Sequence, residues 1–191
     1  MAAIKKQNSK ADSGFSLVEL LVYVGLFLLI AVVLGTLLIN ILTVQNKVIN
    51  SSTSGQQAQL ISQTVESSVR NATAIQLTQV NATDQIVLVR SGQAGPSASW
   101  ICMAFYFSAT SGGSLRYQRS VSAIAVPTSA QLLAWTLLGS GLTTAQTGTM
   151  FSVAGSRLSF AFTASKQNDA KVNVQSSVSA RGGSWVSAPC F

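Results

Sequence analysis

Gly14-Phe15-Ser16-Leu17-Val18-Glu19 is the stretch on which the reading of this chain turns. Ahead of it stand Lys5, Lys6 and Lys10 with Asp12, and behind it Leu20–Leu42 runs for 23 residues without a charged side chain. Wound as a helix at about 1.5 Å per residue, that run spans roughly 35 Å, enough to cross a hydrocarbon core of about 30 Å. The lysines precede the run, and Lys47 is the only basic residue between Leu42 and Arg70. By the positive-inside rule the N-terminus is expected in the cytoplasm and the chain beyond about residue 45 across the membrane. A secretory signal peptide is the rival, but its apolar region is shorter, about 7–15 residues, and closes in a small-x-small cleavage site. No A-x-A stretch closes this run.

Composition narrows the classes further. The 191 residues leave room for one long helix and one globular domain of about 120 residues. Only 9% of the residues are charged, against about a quarter in an average soluble domain, which suits an exported or assembled protein. The formal net charge is +7, of which the first 14 residues carry +2; Arg70, Arg90, Arg116, Arg119 and Arg157 are spread through the rest. Such a balance gives a mildly basic surface, with weak attraction to nucleic acid or an acidic cell surface as the alternative. The chain has no histidine, which excludes a Ser-His pair and a His-ligated metal. Its five acids, Asp12, Glu19, Glu66, Asp84 and Asp169, lie far apart, so no catalytic residue, metal site or cofactor is expected.

Two residues of the opening stretch fit an ordinary membrane anchor poorly. Glu19 falls where the helix enters lipid, and an ionised group there costs a few kcal/mol unless it snorkels or finds a partner. Gly14 stands at the junction of charged leader and apolar run, a side-chain-free point for a protease to grip. The stretch closely resembles the N-terminal motif of type IV pilins and type II secretion pseudopilins, a Gly-Phe-Ser/Thr-Leu-aliphatic-Glu sequence before an apolar helix. The resemblance implies cleavage between Gly14 and Phe15 by a prepilin peptidase and N-methylation of Phe15 by its methyltransferase activity. It also gives Glu19 the role of assembly carboxylate, pairing with the terminal amine of a neighbouring subunit. An amine and a carboxylate, each costly in lipid, offset one another when subunits come into register. The implied partners are that peptidase, other pilins or pseudopilins, an inner-membrane assembly platform and the lipid bilayer. The rival is a plain signal anchor carrying a stray Glu. Where many major pilins have a helix-kinking proline, this chain has Gly35 and Thr36, so melting of the helix during assembly would rely on glycine.

Read outward from there, residues 1–14 form a leader, 15–71 a transmembrane and assembly helix, and 72–191 a sheet domain. The expected fold class is α+β, a long N-terminal helix packed on a small antiparallel sheet, as the pilin resemblance implies. Gly25 and Gly35 are small enough for close helix approach or for loose packing, and Tyr23 and Asn40 read as mild polar interruptions without an assigned role. Ile61, Val65 and Val69 recur every four residues as one helix face, and Glu66 and Arg70 pair on another. The helix is expected to reach about Asn71 with a bend near Gly55. The segment from Val69 to Ile75 resembles the helix end of J-type minor pseudopilins and related minor pilins.

Beyond Ile75 the period shifts towards two. Strands are expected at Ile75–Val80, Gln85–Arg90, Trp100–Ser108, Ser114–Ser120, Arg157–Ala164 and Lys171–Ser179, with hairpin connections at Asn81–Asp84 and Ser111–Gly113. Pro127-Thr-Ser-Ala opens like a helix start, and Leu132, Leu133, Trp135, Leu137 and Leu138 suit a short amphipathic helix, or else a loop carrying an exposed Trp. Cys102 and Cys190 are the only cysteines. On an oxidising side of the membrane they could pair, as many pilins close a C-terminal loop; two buried thiols are the alternative. Asn50, Asn71 and Asn81 head N-x-[ST] triplets of the kind a Ser/Thr-rich chain produces by chance.

Three classes of function are thus in play. The first is a structural or priming subunit, a minor pilin or pseudopilin of a pilus or pilus-like secretion filament. The second is a DNA-binding or adhesive minor pilin using Trp135 and Trp185. The third, an exported enzyme, lacks any catalytic constellation.

Overall fold

The computed structural model describes residues 16–93, 99–144, 148–166, 171–181 and 190. The chain divides into two units, residues 1–46 and 47–191. The described part of the first is helical from Leu17, within a helix α1 that spans Leu17–Arg70. Every side chain from Ser16 to Asn46 is exposed, and apolar residues occupy all sides of the helix. It runs unbroken through Gly55 and stops one residue short of the expected end.

The second unit begins with the remainder of α1 and builds two antiparallel sheets. The first sheet is a meander of β1 (Ala72–Gln79), β2 (Gln85–Gln93), β3 (Ser99–Ser108), β4 (Ser114–Ser120) and β5 (Thr136–Ser140), paired in that order. The second contains β6 (Leu142–Thr144), β7 (Phe151–Ala154), β8 (Arg157–Ala164) and β9 (Val172–Ser179). In it β8 pairs along its whole length with β9, near its end with β6 and near its start with β7. The fold is α+β with a long N-terminal helix on antiparallel sheet, as expected.

Helix residues Ala58, Ile61, Val65 and Val69, spaced by three or four, form one buried stripe. They join a core with Val87 and Val89 of β2, Phe105 and Phe107 of β3, Leu115 of β4 and Leu158, Phe160 and Phe162 of β8. Alternation along the strands sends the intervening residues to the other face. There Ile86, Leu88, Ala104 and Tyr106 form a second, smaller core with Trp135. Gln85, only 2% exposed, ties the two sheets together. Its Oε1 accepts from the Met150 and Phe151 amides, both at 2.9 Å, while its Nε2 donates to the Phe151 carbonyl at 3.1 Å.

The turns follow local chemistry. Asn81 Oδ1 accepts from the Thr83 and Asp84 amides at 2.9 and 2.7 Å, an Asx turn that closes the β1–β2 hairpin. Gly113, at φ +78°, follows the short 3₁₀ turn between β3 and β4, and a Cβ there would collide with the Leu142 carbonyl.

The expected helix after Pro127 is corrected by the structure. Helix α2 covers Ser129–Leu133 alone, opened by a capping box in which Thr128 and Gln131 satisfy each other. Leu137 and Leu138 lie in β5, and Trp135 is buried edge-on against Tyr106, with ring centroids 6.4 Å apart, rather than exposed. Strands β5, β6 and β7 are absent from the sequence reading because they are three to five residues long and flanked by glycine or by helix.

Candidate functional site

The expected processing residues Gly14 and Phe15 lie outside the described residues. Ser16 begins them, and its carbonyl accepts the first helical hydrogen bond, from the Leu20 amide at 3.1 Å. Glu19 follows in the first turn of α1, where the partial positive charge of the helix N-terminus favours a carboxylate. It is the only charged residue from Ser16 to Asn46. The helix is long and apolar enough to cross a membrane, with exposed large hydrophobic side chains from Leu17 to Ile49.

Glu19 does not stand alone on that surface. The Tyr23 hydroxyl, one turn further on, donates to its Oε1 at 3.2 Å. Sequence reasoning left Tyr23 without a role, although the four-residue interval was a usable signal, since such positions are neighbours on a helix face. The hydroxyls of Thr36 and Thr43 turn back onto the carbonyls of Val33 and Ile39, at 2.8 and 2.9 Å, and so add no free polar group to the run.

Cys102 and Cys190 form a disulfide, with Cα atoms 5.4 Å apart. Both are 1% exposed, and the bond ties residue 190 to β3 on the sheet face that carries Tyr106. Near this bond Arg90 of β2 lies with its guanidinium carbon 4.7 Å from the Trp100 ring centroid and donates from Nε to Thr73 Oγ1 at 3.0 Å. Arg90 is therefore a buried structural cation, not part of a basic surface. Of the two aromatic candidates for a nucleic-acid surface, Trp135 is buried and Trp185 lies outside the described residues.

A second polar cluster, unnoticed in the sequence, surrounds Asp84 beneath the β1–β2 turn. Its carboxylate accepts from Asn81 Nδ2 at 3.0 Å, the Ala109 amide at 3.0 Å, Ser108 Oγ at 3.2 Å and the Tyr106 hydroxyl at 3.3 Å. Burial pushes the carboxyl up, but these hydrogen bonds outweigh it and hold Asp84 below its ordinary value. Burial, reinforced by the adjacent carboxylate, raises the Tyr106 phenol. Donors fill the site from the protein itself, which makes it a structural knot. No group of three or more His, Cys, Asp or Glu able to hold a metal occurs among the described residues.

Comparison with family models, with curated proteins and with solved structures found no match for this chain.

Proposed function

We propose that this chain is a minor pilin or pseudopilin, a structural or priming subunit of a pilus or of a type II secretion-like filament. It is inserted in the cytoplasmic membrane with its N-terminus inside and its sheet domain outside. Prepilin peptidase cuts after Gly14, its methyltransferase activity modifies Phe15, and the mature chain enters the filament through its helix, alongside other subunits and on an inner-membrane platform. The observation that carries this reading is Glu19. A lone carboxylate sits in the first turn of a helix whose N-terminal half is otherwise apolar on every side, four residues after a Gly-Phe junction. An isolated charge at the edge of lipid calls for a counter-charge, and a newly exposed N-terminal amine four residues away on a neighbouring subunit supplies one. The sheet domain behind the helix and the C-terminal disulfide, which needs an oxidising compartment, fit an exported location.

Mass spectrometry of the N-terminal peptide from native cells tests the reading. A terminus at Phe15 carrying one added methyl group supports it. An intact Met1, or a cut beyond Leu42, overturns it and returns Glu19 to an ordinary anchor.

A further inference from the structure

We infer that Tyr23 is a positioning residue for Glu19, holding the carboxylate until the amine of a neighbouring subunit arrives. The inference rests on the assembly reading above. Its basis is the hydrogen bond from the Tyr23 hydroxyl to Glu19 Oε1 at 3.2 Å, within one helix turn. The other carboxylate oxygen, Oε2, has no hydrogen-bond partner among the described residues. From Ser16 to Asn46 there is no lysine or arginine to neutralise Glu19 within its own helix.

The chemistry suits a waiting role. A phenol is a neutral donor, so it lowers the cost of an ionised carboxylate in an apolar setting without cancelling the charge that attracts an amine. Bonding at Oε1 fixes the glutamate rotamer along the helix and leaves Oε2 open to a second donor. Tyrosine suits the place as well, since its ring is apolar and its hydroxyl polar, the division found at the edge of a bilayer. A lysine or arginine one turn on would instead form the ion pair internally and compete with the incoming amine. Tyr23 therefore holds the Glu19 side chain in one orientation and leaves it in need of a cation.

Two readouts on the full chain test this. The chain has two glutamates, Glu19 and Glu66, so carbon-13 glutamate labelling in a Glu66→Gln background reports Glu19 alone in the infrared. In lipid bilayers Tyr23→Phe is expected to shift that carboxylate band while helicity by circular dichroism stays the same. In native cells Tyr23→Phe is expected to leave cleavage after Gly14 unchanged and to lower the fraction of chain recovered in filaments about three- to tenfold, the loss of one hydrogen bond. A shifted band together with reduced assembly supports the inference. An unmoved band overturns it, and so does a moved band with wild-type assembly. A wild-type terminus other than Phe15 is a different failure: it removes the assembly reading, and this inference falls with it.

Discussion

The Tyr106 hydroxyl donates to Asp84 Oδ2 at 3.3 Å, tying the C-terminal end of β3 to the turn between β1 and β2. Because Asp84 is held below its ordinary value of 3.8, the folded chain binds that proton less tightly than the unfolded one. Its stabilisation is complete above the unfolded value and is lost as pH falls through the folded value. Urea unfolding of the full chain in detergent, from about pH 6 down to about pH 2, should show stability falling in the acid limb. Asp84→Asn should flatten that limb and cost about 1–3 kcal/mol at neutral pH. Tyr106 acts at the other end: its raised phenol favours the fold below the unfolded value of 10.0, and that contribution disappears as pH climbs past it.

Replacing Gln85 with Leu should be more damaging than its conservative shape suggests. The amide side chain satisfies the Met150 and Phe151 N–H groups and the Phe151 carbonyl, all buried in the contact between the sheets. Leaving them unsatisfied should cost about 3–6 kcal/mol, measured as a loss in denaturation midpoint at constant slope.

Trp135→Ala distinguishes a packing residue from a contact surface. Buried against Tyr106, Trp135 should lose about 3–5 kcal/mol of stability on truncation. Salt-dependent DNA retention, if the chain has any, should be the same for wild type and variant when both are folded. A selective loss of DNA binding at unchanged stability would contradict the buried position.

Reduction, or the double replacement Cys102→Ser with Cys190→Ser, should lower stability by up to about 4.5 kcal/mol, since the bond spans 88 residues. Thiol titration of the denatured chain should find no free sulfhydryl before reduction.

The sequence carried the helix and the longer strands because each has a period that local side chains impose. The stripe of Ile61, Val65 and Val69 marked the buried helix face, and alternation in Trp100–Ser108 and Arg157–Ala164 marked β3 and β8. What escaped was set by distant partners. Trp135 is buried by Tyr106, far away in the chain, and Leu137 and Leu138 are pulled into β5 by pairing with β4, although their spacing from Leu132 suits a helix. At the candidate site the exposed place of Glu19 at the head of the apolar helix was legible. The Tyr23 contact was legible only as an interval, since its donor geometry depends on rotamers that sequence does not state.

A covalent ring also has mechanical consequences. With Cys102 joined to Cys190, everything from Cys102 in β3 to the C-terminal end of β9 lies inside a closed loop, whereas α1, β1, β2 and the first residues of β3 lie outside it. A pull delivered along the helix can peel away only the outer segments. The ring withholds roughly 300 Å of contour from extension for as long as the sulfurs remain joined. A chain closed this way has a fixed limit to how far it can be drawn out under load, and reduction removes that limit.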